Sequence, residues 1–216
     1  IKDMFEFEPD EYIFTKFAFF FKKRKNKKEA GFEHAVNLND IKPRLTIFAR
    51  AITGQSIEIY DAEREGGYRN NNFFLPQKFY EFQTVEENIS FYLFRILYLS
   101  TQKNLDLNWN DNQEHEILDS QQLAFSSSDK VLKELFSQFP ITKAYHEKFV
   151  AYYKSKAASK QSPDYTFIYG KWMRNSPHDD SEKTLENFTA QVNEANQEQP
   201  KTLIKSKAVE EIISVQ

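Results

Sequence analysis

The stretch TVEENISFYLFRILYLS, residues 84–100, decides how this chain is read. Thr84 followed three residues later by Glu87 is the reciprocal capping pattern of a helix N-terminus. Behind it, Ile89, Tyr92, Leu93, Ile96, Leu97 and Leu99 cover most of a helix circumference rather than one stripe. A helix that is apolar on most sides belongs inside a domain. The spacing therefore predicts a buried central helix over about residues 85–100.

Other elements group around it. Upstream, Leu45, Phe48, Ala49 and Ile52 share one helical face, with Asn39 or Asp40 as the cap and Gly54 as the stop. Residues 56–60 alternate, Ile57 and Ile59 to one side, Ser56 and Glu58 to the other, as a short strand does. Gly66-Gly67 and Asn70-Asn71-Asn72 are turn signals, and Phe73-Phe74-Leu75 before Pro76 reads as the returning strand. A small β-hairpin or flap near residues 56–75 follows. Downstream, residues 100–126 are polar with no clear period. Ser128 caps a helix carrying Val131, Leu132, Leu135 and Phe136, which stops near Pro140. Ala144, Tyr145, Phe149 and Tyr152 mark another helix. Tyr165, Phe167 and Tyr169 alternate after Ser162-Pro163, which predicts a short extended segment.

At the N-terminal end, Pro9 and Asp10 open a helix over about residues 9–25, with Ile13, Phe14, Phe17 and Phe21 on its apolar face. It ends in a basic run over residues 22–28, where cations suit the negative end of the helix dipole. The expected fold class is mainly α: a helical domain over residues 1–178 with the β-hairpin near 56–75. Residues 179–199 are acidic, rich in Gln and Asn and poor in large apolar groups. Residues 179–216 accordingly read as a linker or extended tail toward a further C-terminal domain. The opening at Ile1 and the interrupted apolar pattern over residues 208–215 fit a fragment of a longer protein.

Composition narrows the chemistry. The chain has no cysteine, so disulfides, thiolate metal sites and thiol nucleophiles are excluded, and the expected compartment is the cytoplasm. Its net charge of −3 gives no general attraction to nucleic acid or anionic membranes. Five glycines form no phosphate-binding loop. The most apolar run, residues 13–21, is interrupted by Lys16 and is far shorter than the ~20 residues a spanning helix needs.

The histidines offer little. His146-Glu147 begins a zincin pattern, but Val150 occupies the second histidine position, which leaves a solvated helix surface as the expectation. Glu114-His115-Glu116 and His178-Asp179-Asp180 are acid–imidazole clusters in polar loops, without ligands converging from several directions. No catalytic, cofactor-binding or metal-binding residues are assigned. The alternatives are an unrecognised or degenerate metallopeptidase-like hydrolase using His115, His146 or His178, and a nucleic-acid or membrane-surface binder using residues 22–28. The expected partner-binding residues are Arg64, Tyr68 and Arg69, at a glycine-rich hairpin tip, together with Lys22, Lys23, Arg24 and Lys25.

Three segments carry a family resemblance: LTIFARAITG (residues 45–54), EGGYRNNNFFLP (65–76) and ENISFYLFRIL (87–97). Helix ending in TG, strand, hairpin ending in LP and EN…Y helix resemble the N-terminal region of the nitric oxide reductase activation protein (NorD) family and related von Willebrand factor A proteins. The segment over residues 205–215 is similar to the stretch leading toward that family's second half. Some relatives carry a histidine-containing, metallopeptidase-like pattern after the EN…Y helix; here residues 99–103 read LSTQK, with no metal ligand. The D-x-S-x-S motif of the A-domain is also absent. The resemblance implies a non-enzymatic interaction domain that works with a MoxR-type AAA+ ATPase to mature or activate a client enzyme such as nitric oxide reductase.

Overall fold

A computed structural model describes residues 34–111, 113–157 and 162–175. The expected helix over residues 9–25, the basic run with Lys22, Lys23, Arg24 and Lys25, His178 and the expected tail lie outside them. In chain order the elements are β1 (Val36–Asn37), α1 (Leu38–Thr53), β2 (Glu58–Ala62), β3 (Gly67–Arg69), β4 (Asn72–Pro76) and β5 (Lys78–Phe79). Then come α2 (Val85–Asn104), α3 (Ile117–Ser126), α4 (Ser128–Gln138), α5 (Ile141–Lys156) and α6 (Thr166–Tyr169). The described part is mainly α with two small sheets.

The central helix is α2. Thr84 and Glu87 form both halves of the capping box, each side chain accepting from the other residue's backbone N–H. Every residue from Asn88 to Gln102 is buried. Its polar members are accommodated locally: Ser90, Ser100 and Thr101 donate to the carbonyls of Glu86, Ile96 and Leu97. Asn88 accepts from Phe82 N and donates to the carbonyls of His34, Phe82 and Thr84, which pins the chain entering the helix. Tyr92 donates to Pro76 O at 2.7 Å and so fastens α2 to the end of β4. Aromatic rings fill the adjoining space; Phe79 and Phe91 stack at 3.7 Å, and Phe149 meets Phe82, Phe91 and Phe94.

Helix α1 buries Leu38, Ile41, Leu45, Phe48 and Ala49, while Ile52 packs against the core partly exposed. It begins slightly before Asn39, after Asn37, and its first N–H is taken by the Gln77 carbonyl. Gly54 ends it in the left-handed conformation, φ 65°, donating back to Arg50 O.

The strands are wired differently from the expected hairpin. β2 and β4 are neighbours, but they run parallel, Ile59 opposite Phe73. β4 lies between β2 and β3, and the antiparallel pair is β3 with β4, joined through Asn70 and Asn71. Alternation reports which face a residue takes and is blind to strand direction, which is why the pairing was legible and its sense was not.

Two further expectations change. Residues 117–126 form α3, within a region that showed no period. Residues 166–169 form the single turn α6 instead of an extended segment. Asp164 organises that turn by accepting from the Thr166 backbone and hydroxyl.

Candidate functional site

Expected partner-binding residues Arg64, Tyr68 and Arg69 do not form one exposed tip. Tyr68 is a core residue, 2% exposed. It sits directly opposite Phe73 in the β3–β4 register, and cross-strand partners share a face. Phe73 is fully buried, so Tyr68 must be buried with it. Burial pushes its hydroxyl pKa up, and Asp106 adds to the shift. Arg64 is exposed beside the buried Glu65 carboxylate. Arg69, one residue on, takes the outer face and lies over the Phe74 ring.

Gly66 and Gly67, read as a projecting turn, are buried. The segment after α6 runs over them, Lys171 N donating to Gly66 O at 3.0 Å. Farther along this segment, Trp109 N donates to Met173 O and Asn175 N to Trp109 O, a bridge that joins residues 109 and 174. Asn108 reinforces it from below: its side chain donates to Tyr68 O and accepts from Met173 N. Asn175 accepts from Asn70 N and donates to Asn110.

This crossing carries a cleft of about 440 Å³. Trp109 and Trp172, the chain's only two tryptophans, line it edge to face at 5.6 Å. Each indole N–H is turned inward, Trp109 to Ser120 Oγ and Trp172 to Ser127 Oγ. His115 stacks on Trp109 at 3.5 Å and hydrogen-bonds Asp111, an interaction that holds the Asp111 carboxyl below its usual range. Arg69, Lys171 and Arg174 supply three cations to the lining, against one carboxylate, Glu114.

The edge of the cleft is Ile117, the first residue of α3. Beyond it α3 shows an unusual distribution. Its buried residues are Ser120 and Ala124, whereas Ile117, Leu118 and Phe125 are 61, 63 and 55% exposed. Phe125 packs against Tyr165 and Tyr169, so the open apolar surface at the edge of the cleft is chiefly Ile117 and Leu118.

His146 is not on a solvated surface. It is half-buried among Phe94, Phe136 and Tyr169, and its Nε2 shares a 3.0 Å hydrogen bond with the Tyr169 hydroxyl. Desolvation lowers its pKa, opposed by the charges of Glu147 and Asp129. A base with a depressed folded-state pKa binds fewer protons folded than unfolded, so stability falls as pH drops below the unfolded value of about 6.5. The urea midpoint is thus expected to fall between about pH 7 and pH 5.5. His146→Gln should flatten that part of the profile; an unchanged profile would show that His146 does not carry it. Among the described residues, no three His, Asp or Glu side chains are placed to hold a metal ion. No family model, curated protein or solved structure matches this chain.

Proposed function

We propose that the domain is a non-catalytic interaction module of a NorD-like activator, which docks with a MoxR-type AAA+ ATPase acting on a client enzyme. The observation that carries the interaction reading is the α3 face, where Ile117 and Leu118 are exposed, Phe125 is half-exposed against Tyr165 and Tyr169, and the small residues Ser120 and Ala124 are buried. The choice of partner comes from the sequence resemblance. Two of the three resembling segments are interlocked around α2: the EN…Y segment forms the helix, and the LP end of β4 accepts the Tyr92 hydroxyl.

The test is a calorimetric titration of the protein with the MoxR-type ATPase of the same genome, in the presence of nucleotide. Leu118→Glu is expected to weaken binding at least tenfold, about 1.4 kcal/mol, with an unchanged thermal melt, because the side chain is exposed. Absence of binding by the unaltered protein would remove the ATPase as partner. Equal binding by Leu118→Glu would remove the α3 face.

A further inference from the structure

We infer that the tryptophan cleft binds a short acidic peptide segment of a partner protein, with an apolar or aromatic side chain against the indoles and flanking carboxylates on Arg69, Lys171 and Arg174. The inference rests on the interaction reading above and adds the chemistry of what is recognised.

Charge is the first argument. The chain as a whole is acidic, at −3, yet three cations and a single carboxylate line this cleft. Asp111 also acts electrostatically on Arg174, so the excess is strongest around Arg69 and Lys171. A positive site on a negative molecule selects against basic partners as well as for acidic ones. The second argument is the aromatic pair. With both N–H groups committed to serine hydroxyls, the indoles offer the cleft no donor, and Trp172 together with the part of Trp109 not covered by the stacked His115 offers apolar ring surface. That surface suits a buried side chain, and guanidinium and ammonium groups at its edge suit carboxylates.

Rigidity is the third. The cleft walls are tied together by the Gly66–Lys171, Trp109–Met173 and Asn175–Trp109 backbone bonds and by the Asn108 side chain. A preformed site loses little entropy on binding. A volume of about 440 Å³ accommodates a few side chains. Stacking rings beside cations also occur in single-stranded nucleic-acid sites. Here the cleft continues through Ile117 onto the apolar α3 face, which offers a polypeptide further burial and offers a phosphate backbone nothing.

Because both tryptophans lie in the cleft, intrinsic tryptophan fluorescence reads its occupancy directly. The probes are an acidic pentapeptide, Asp-Glu-Phe-Asp-Glu with blocked ends, the same peptide with Lys at the four acidic positions, and an oligothymidylate. The acidic peptide should give a saturable change that weakens with added salt, and the lysine peptide none. Lys171→Glu and Arg69→Glu should each reduce the affinity for the acidic peptide at least fivefold, with the melt of each variant checked. Lys171→Arg should retain it. No response to the acidic peptide, an equal response to the lysine peptide, or a preference for the oligothymidylate would overturn the inference. These outcomes separate from those of the ATPase titration. Failure of the peptide with Leu118-dependent ATPase binding intact would remove only the cleft chemistry; the reverse would remove only the named partner.

Discussion

Arg95→Ala is expected to destabilise the domain by roughly 3–5 kcal/mol, the cost of breaking a buried charged network by removing one member. Arg95 is in the middle of α2 and wholly buried. It donates to Ile168 O at 2.7 Å and to Glu65 O at 3.3 Å, joining α6 and the β2–β3 connection across the central helix. Tyr98 lies against the guanidinium, and burial lowers its pKa to about 10, so it stays charged at neutral pH. Alanine would remove two charge-assisted bonds, leave two carbonyls short of a donor, open a cavity and strip a cation from near the buried Glu65 carboxylate. Arg95→Met separates packing from bonding. It restores much of the volume, so it should be milder than alanine, yet still cost more than about 1 kcal/mol for the lost bonds. Urea unfolding of the two variants checks this. An Arg95→Met protein as stable as the parent would show that the clamp holds nothing together.

Arg95 also shows how far the sequence can be read. The circumference argument placed residues 85–100 at the centre, and α2 is there because its apolar surface has nowhere else to go. Gly54 and the Leu45, Phe48, Ala49 face were equally legible, since both are local patterns of a helix and its end. Helix α3 was not, for a specific reason. Periodicity assumes that large apolar groups face in, and in α3 Ser120 and Ala124 are buried while Ile117 and Leu118 are exposed. The same inversion that hid the helix is the ground on which α3 is proposed as an interaction face. Tyr68 failed for the opposite reason: its charged and glycine neighbours suggested a loop, while strand register assigned it to the core. Arg69 was expected at an exposed contact and does line the cleft. Its companions there, Trp109 and Trp172, are far apart in the chain, and only the crossing over Gly66 brings their segments together.

Gly66, which the 171–175 segment crosses, carries the other large effect through its contact with β4. Gly66→Ala is expected to cost roughly 2–5 kcal/mol, from about 1–2 for a left-handed non-glycine backbone and about 1–3 for forced overpacking. Gly66 has φ +67°, and a Cβ there would come within 2.0 Å of Phe74 O, a backbone atom in the middle strand of the sheet. A flexible side chain could rotate away; β4 can yield only by breaking its pairing with β2 or β3. Gly54→Ala is the matched control. Its φ of +65° is nearly the same, but nothing lies within 4 Å of the added carbon. The control therefore carries the backbone term alone, about 1–2 kcal/mol. The difference between the two variants isolates the close approach. Gly66→Ala should in addition shift the tryptophan emission, because Lys171 N bonds Gly66 O and leads directly into Trp172. Gly54→Ala, at the end of α1, should leave that emission as it is. Equal destabilisation by the two substitutions would mean that Gly66 does not lie against the β4 backbone. An unchanged tryptophan emission in Gly66→Ala would mean that the 171–175 segment is not seated on the glycines, and the cleft could not have the walls described for it.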